Sequence, residues 1–416
     1  MAAGLSSASV VVVSRGRPEP LRRCLTALRQ LDHPEFEVVV VADAAGLWAV
    51  ADMGLSALVK TERCDEANVS LARNRGIALA AGEVVAFIDD DAVPEPTWLS
   101  RLCAVFSDDR VAAAGGVVIG RNGLSVQWGP AWCDALGNRH PLEAETRTVS
   151  LHEGAPGAAV RTEGTNMAMR RALLAQMGGF DPAYRFYLDD TDLNMRQAEA
   201  GQITAIVPLA QVHHGFAAGP HRRADRVPVT LFEIGASAEV FLRRHAPPGA
   251  AGPRLASLRA EQRRRLLQHM VAGGIEPADV ARLLGTFDAG VAEGRRRPLI
   301  VPPPIGAPEA AFLPLPGTGP RPPRLVAGWW WQGPALRRRA RRWADEGALV
   351  TMIRLSPTTL WHRARFHPDG YWEQTGGLFG RSRRDGPLLH RAGFRARLAD
   401  ELERIGRIRP VDTVPQ

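Results

Sequence analysis

Three successive carboxylates, Asp89, Asp90 and Asp91, close the apolar run Val-Val-Ala-Phe-Ile at 84–88. A short unbroken run of β-branched and aromatic residues predicts a strand buried on both faces. Open α/β sheets bind ligands outside the carboxyl ends of their strands, so these acids stand where a ligand would lie. Adjacent carboxylates repel one another, and a hard divalent ion, magnesium or manganese, relieves that repulsion better than zinc does. In extended chain Asp89 and Asp91 point to one side and Asp90 to the other, which makes Asp89 and Asp91 the pair that can share a metal. The competing reading is a solvated turn whose aspartate caps a helix starting near Glu95.

Other polar groups extend the chemistry. In Glu163-Gly164-Thr165-Asn166, Gly164 permits close backbone approach to a ligand and Asn166 offers both donor and acceptor. Gly164, Thr165 and Asn166 are therefore candidates for contact with a sugar or acceptor, against an ordinary turn before a helix at 172–177. Farther on, Asp189, Asp190 and Asp192 open another helix, where the helix dipole favours negative charge and capping alone accounts for them. A second acidic cluster is also what a transfer reaction needs, one group for the metal and another to take the acceptor proton. After a strand at 203–207 come His213 and His214; His213 is the choice for a metal ligand, the alternative being one histidine in a turn and one in solvent. His221, Arg222, Arg223 and Arg226 form a basic loop that suits a diphosphate or merely coats the surface.

These groups need a scaffold, and the periodicity supplies one. A strand at 10–13 leads through a proline turn to a helix at 21–31, with leucine at 21, 25, 28 and 31. A second strand, 36–41, runs to Asp43; a helix at 71–80 stops at Gly82; the aspartate-bearing strand follows. Alternating strands and helices with short links predict an α/β fold, a doubly wound, Rossmann-like, mostly parallel sheet. Asp43 and the Asp89 cluster then share one edge. The chain's 416 residues, 45% of them hydrophobic, suffice for two or three domains. We divide it into 1–245, a helical segment 246–297, a Pro/Gly-rich linker 298–323 that is extended and semi-rigid, and a smaller Trp/Arg-rich α+β or helical region, 324–416. Tryptophans in that last region stack a sugar or fill a small core.

The net charge of +8 rests on arginine, Lys60 being the only lysine, and does not by itself argue for nucleic acid. Arginine-rich helices near the C-terminal end, residues 337–342 among them, offer peripheral contact with anionic lipid or polysaccharide. Cys24, Cys64, Cys103 and Cys133 lack metal-site spacing and read as free thiols of a reducing compartment. No run approaches the about 20 apolar residues of a membrane span, and no basic segment followed by a long apolar stretch opens the chain. The expected location is cytoplasmic, with peripheral contact at the inner face of the membrane.

The runs Ser70-Leu71-Ala72-Arg73-Asn74-Arg75-Gly76, Ala80-Ala81-Gly82-Glu83, Phe87-Ile88-Asp89-Asp90-Asp91 and Pro96-Thr97-Trp98-Leu99 resemble glycosyltransferase family 2, enzymes that use nucleotide-sugar donors on an A-type fold. The likeness extends from about Ser9 to His214. It implies that 1–245 is the catalytic domain, that Asp43 contacts the nucleoside, and that Arg73, Asp89 and Asp90 belong to the donor site. Manganese or magnesium would be held by Asp89, Asp91 and His213. Asp190, or failing it Asp189, would be the base of a single inverting displacement. The implied partners are a nucleotide-sugar donor and a carbohydrate or lipid-linked acceptor, with no nucleic acid. The chain departs from the family at Val41-Ala42-Asp43-Ala44-Ala45, where paired acids and Gly-Ser are usual. Two other readings compete: a nucleotidyltransferase, which would need a G-x-G-T-R loop that Ser14-Arg15-Gly16-Arg17-Pro18 is not, and a non-catalytic carbohydrate or polyanion binder that keeps the fold.

Overall fold

The computed structural model describes residues 6–215, 217–383 and 386–412. The N-terminal half opens with β1 (Ala8–Ser14), α1 (Pro18–Leu28), β2 (Phe36–Ala42), α2 (Ala44–Asp52), β3 (Lys60–Arg63), α3 (Val69–Leu79) and β4 (Val84–Asp89). These four strands pair in parallel. The valine-rich strands are buried on both faces because helices cover both. Val10, Val12, Val38, Val40, Val84, Ala86 and Ile88 face one core with Leu21, Leu25 and Leu28 of α1. Val11, Val39, Val41, Val85 and Phe87 face another with Ala72 and Ile77 of α3. Gly76 lets α3 lie close on β1: a Cβ there would stand 2.5 Å from Val11 Cγ1.

The chain continues through β5 (Ala92–Pro94), α4 (Trp98–Ala104), β6 (Val111–Ile119), β7 (Val126–Trp128), β8 (Ala131–Asp134), β9 (Arg139–Pro141), β10 (Ser150–Glu153), β11 (Ala158–Val160), β12 (Met167–Arg170), α5 (Arg171–Gln176), α6 (Asp189–Glu199) and β13 (Ile203–His214). The resulting ten-stranded sheet has the order β10-β13-β6-β12-β4-β1-β2-β3, with β5 on β13 and β7 on β6. β12 enters antiparallel between β4 and β6, which makes the sheet mixed though mostly parallel. β13 runs well past the predicted 203–207, through an irregularity between Val207 and Gln211, so its histidines lie on a strand and not in a turn.

Helices α7 (Phe232–His245), α8 (Ala251–Val271) and α9 (Pro277–Gly294) then pack with α6 in a third core. The predicted boundary at 245/246 is bridged by this packing: α7 and α9 cross so closely that a Cβ on Gly290 would lie 2.0 Å from the Phe232 carbonyl. Residues 295–322 form no helix or strand, yet they do not hang free. Backbone amides of Ile305, Glu309 and Leu315 donate to the carbonyls of Ala175, Ala78 and Phe36, which ties the proline-rich stretch across the large domain as a strap. The C-terminal region folds as β14 (Pro323–Trp329), α10 (Gly333–Asp345), β15 (Leu349–Ser356), β16 (Arg363–Phe366), β17 (Trp372–Gly377) and α11 (Phe394–Gly406), with sheet order β14-β15-β17-β16. β14, β15 and β17 are parallel and β16 is an antiparallel edge.

The second sheet docks on the first. Gln30 Nε2 donates to the Gly370 carbonyl at 2.6 Å, Thr97 Oγ1 to that of Ile408 at 2.6 Å, and the Ala364 amide to that of Asn122 at 2.9 Å. Ala27 and Val93 share a buried cluster with Leu349, Phe366 and Trp372. Among the described residues no helix is long and apolar enough to cross a membrane.

Candidate active site

The end of β4 and the turn that follows it decide where the three central acids go: Asp89 is the last strand residue, and Asp90 and Asp91 form the turn before β5. Asp89 faces the α3 side, where Arg73 Nη2 lies 3.2 Å from its Oδ1. Asp90 faces the α1 side: Ser14 Oγ donates to it at 2.6 Å, and the Arg17 guanidinium, in the loop before α1, lies 2.6 Å away. Asp90 is fully buried, and burial pushes its carboxyl up to about 7 despite Arg17. Asp90 thus lies behind Arg17, its carboxylate shut off from solvent. Asp91 turns toward His214, whose Nε2 lies 3.2 Å from Asp91 Oδ1 and 3.8 Å from Asp89 Oδ2. Burial alone would raise Asp91; the His214 hydrogen bond and charge, with Arg17, hold it well below the usual carboxylate range.

Asp89, Asp91 and His214 place one ligand atom each within 4.8 Å of one another. Two carboxylate oxygens and an imidazole nitrogen suit a manganese-class ion, and the spacing lets one ion meet all three. The choice of His213 is corrected here. His213 Nε2 lies 2.7 Å from Glu95 Oε1, on the other face of β13. Pairing with β5 sets this: His214 stands opposite Ala92, next to Asp91, and the Gly215 amide donates to the Asp91 carbonyl at 2.7 Å.

Arg73 joins the two acidic clusters. Besides Asp89 it ion-pairs with Asp189 and donates to the Gly164 carbonyl at 3.2 Å, its guanidinium lying over the Phe180 ring. The arginine is buried, and burial, offset by Asp189 and Asp89, leaves its pKa raised. Asp189 is buried as well, and burial pushes it up to about 7 against the pull of Arg73. Asp190, partly exposed, accepts from the Gly164 amide at 2.9 Å and from Thr191 Oγ1 at 3.1 Å. Both oxygens keep lone pairs for a further proton. α6 is entered through Tyr187 and Leu188 with φ of 75° and 64°, a left-handed stretch that costs about 1–3 kcal/mol per residue and that fixes the aim of the acids following it. Asp192, which shares the cluster in sequence, points away to His245 at 3.0 Å and Arg196 at 2.9 Å.

The polar turn at 163–166 serves the scaffold. Gly164 leaves room for the Arg73 guanidinium, which a Cβ there would meet at 2.6 Å and displace. Thr165 is buried, its Oγ1 3.5 Å from the Asp89 amide. Asn166, expected to touch sugar, is fully buried; its Oδ1 accepts from Trp98 Nε1 at 2.8 Å and its Nδ2 donates to the Val117 and Ala210 carbonyls. Both amide hydrogens are spent inside the fold, and burial keeps the remaining lone pair of Oδ1 from any ligand. Asp43 caps α2 through the Gly46 amide and accepts from the Gly16 amide at 2.8 Å, which places it at the edge shared with β4.

Sequence reasoning singled out the His213-His214 pair but preferred the wrong member, and it gave no role to Arg17, Glu95 or Arg409. Arg222 Nη2 approaches Asp91 Oδ2 at 3.6 Å and Arg17 Nη1 does so at 3.4 Å, so two guanidinium groups flank the carboxylate. Glu95, fully buried, is held by His213 and by Arg409 Nη2 at 2.5 Å; Arg409 comes from the far end of the chain and lies 3.7 Å above the Trp372 ring. The acid in Glu95-Pro96-Thr97-Trp98 was the available signal for that link, but nothing local names its partner.

Residues 9–177 match the sequence model of the family described as Glycosyl transferase family 2. The chain is 30% identical over 213 residues to a pre-mycofactocin glycosyltransferase of Mycobacterium tuberculosis, covering 50% of this chain and 42% of that one. It is 31% identical over 128 residues to a glucosyl-dolichyl phosphate glucuronosyltransferase of Haloferax volcanii, covering 28% and 36%. The alignments thus span less than half the length of these relatives. Among solved structures, the mannosyltransferase PcManGT from Pyrobaculum calidifontis in complex with GDP-Man and Mn2+ aligns with 70% of this chain and 88% of its own, at 16% identity and a TM-score of 0.41. The residues matched by the glycosyl transferase family 2 model, 9–177, are the ones that carry Arg73 and the aspartates that end β4, so the similarity to that family covers the first half of the site described above.

Proposed function

We propose that this protein transfers a sugar from a nucleoside-diphosphate donor to the hydroxyl of a carbohydrate, lipid-linked or small-molecule acceptor, with inversion at the sugar carbon. The observation that carries this reading is the convergence on Arg73 of two acidic clusters far apart in sequence, one of them joined to His214. A divalent ion, manganese or magnesium, held by Asp89, Asp91 and His214 would supply Lewis-acid neutralisation of the departing diphosphate. Arg17 and Arg222 add guanidinium groups at the same place, suited to two phosphate oxygens each. Asp190 takes the acceptor proton as its oxygen attacks the sugar carbon and the bond to the diphosphate breaks. Asp189, pinned by Arg73, holds that guanidinium between the clusters and keeps the start of α6 in place. Asp43 borders the nucleoside.

The test is calorimetric titration of UDP, GDP and dTDP into the full chain, with and without manganese, repeated on Asp91→Ala. One nucleotide should bind only with manganese, and the variant should weaken that binding by at least about a hundredfold. Absence of nucleotide binding under every condition would overturn the proposal.

A further inference from the structure

The C-terminal sheet has its own edge. β14, β15 and β17 run in parallel and in register, Trp329 beside Leu355 and Ser356 beside Gly377, so the segments 330–332, 357–362 and 378–393 leave from one end of the sheet. They are stitched together: the Phe379 amide donates to the Thr358 carbonyl, the His362 amide to that of Arg381, and the Gly377 amide to that of Leu360. At this end Trp330, Trp331, Leu360, Trp361, Leu388 and Leu389 are each more than half exposed. Trp329, at the base, is part-buried and stacks on Trp331 at 5.3 Å while packing on Phe394, so the exposed rings stand on a fixed support. Clustered exposed tryptophan and leucine on a folded domain marks a surface meant to be covered.

Charge says by what. Residues 324–416 hold 18 arginines against nine acids, a net +9, while the whole chain is +8; residues 1–323 therefore carry −1. The three segments contain Arg381, Arg383, Arg384 and Arg391 with Asp385 as their one acid. Arg381 lies over the Trp361 ring, and Arg383 and Arg391 are exposed. The arginine-rich helices are mostly engaged elsewhere: Arg337 with Glu373, Arg397 and Arg404 with Glu401, Arg407 with Glu403. A sugar site would pair aromatic faces with amides and acids, whereas aliphatic leucines beside tryptophan and arginine match the boundary between lipid headgroups and acyl chains.

We propose that the loop end of the C-terminal sheet docks on an anionic lipid bilayer, the tryptophans and leucines entering the interface and the arginines meeting lipid phosphate. This is a property of the surface and stands apart from the transfer chemistry. The full chain is floated with phosphatidylcholine vesicles and with vesicles that also contain phosphatidylglycerol. It should rise with the anionic vesicles, and salt should release it. Trp330→Ser/Trp331→Ser/Leu388→Ser/Leu389→Ser, all at exposed positions, should lower the partition at least about tenfold, and Arg383→Gln/Arg391→Gln should lower it about fivefold per arginine. Circular dichroism and nucleotide binding of both variants should match the parent. Equal partition to neutral and anionic vesicles, undiminished binding by the tryptophan-leucine variant, release by soluble glycan, or a parent dimer that the variant dissociates in sedimentation velocity would each overturn the proposal.

Discussion

The two largest sheets of the molecule each contain a parallel core, and the strands of the two cores end in opposite chemistries. At the carboxyl ends of β1 and β4 stand Ser14 and Asp89 to Asp91, with His214 and Arg73 drawn in from other elements. At those of β14, β15 and β17 stand exposed tryptophans and leucines, with arginine and almost no acid. Both edges lie at the open end of parallel strands, the place where ligands meet such sheets. Topology supplies the place, and side chains select what comes there. A carboxylate edge organised around one buried arginine suits a cation and a reacting sugar; an aromatic edge on a +9 domain suits a broad anionic surface.

The sharpest way to break this contrast is to make each edge do the other's work. Asp190→Asn should reduce kcat by about 10²–10⁴ in a steady-state assay with donor and soluble acceptor, leaving vesicle flotation unchanged. The tryptophan-leucine variant should do the reverse. If both activities fell together, the two edges would form one site.

A smaller effect tests the link between the sheets. Arg409→Met strips a buried glutamate of its arginine and leaves Glu95 with His213 alone, which should cost about 3–5 kcal/mol in urea unfolding. Adding Glu95→Gln should recover part of that loss, since the uncompensated charge is then gone. No recovery would mean that Arg409 acts through packing on Trp372.

A comparison of similar size separates the sheets by pH. Asp90 and Asp189 are raised to about 7 by burial, above an unfolded value of about 3.9, so the folded chain holds protons the unfolded chain has lost. Their contribution to stability is whole below about pH 4 and is lost as pH rises through about 7. In the small sheet, burial works against Glu401, yet Arg404 and hydrogen bonds from Ser382 and Gln374 hold it down to about 2. Its contribution is present above about pH 4.3 and is lost as pH falls toward about 2. Urea unfolding across pH should show Asp90→Asn flattening the decline toward pH 7, and Glu401→Gln removing the acid-side decline. Each slope should reach at most about 1.4 kcal/mol per pH unit.

What the residues determined alone was local and periodic. Valine runs at 10–13 and 36–41 and the leucine spacing of 21–31 sufficed for the doubly wound core, because burial on both faces and a helix stripe are written in neighbouring positions. The expectation that Asp89 and Asp91 share one side and Asp90 takes the other agrees with their partners, although β4 ends at Asp89 and a turn, not extended strand, carries Asp90 and Asp91. The tertiary structure decided the rest. Whether His213 or His214 meets Asp91 depends on the register of β13 against β5, and a shift of one residue reverses the answer. Asn166 looked like a ligand group until Trp98, Val117 and Ala210 consumed its amide. Glu95 found Arg409, and Asp89 found Asp189 through Arg73, across separations that no local pattern encodes. Pairing of this kind follows from which surfaces bury together, and that is a property of the folded chain as a whole.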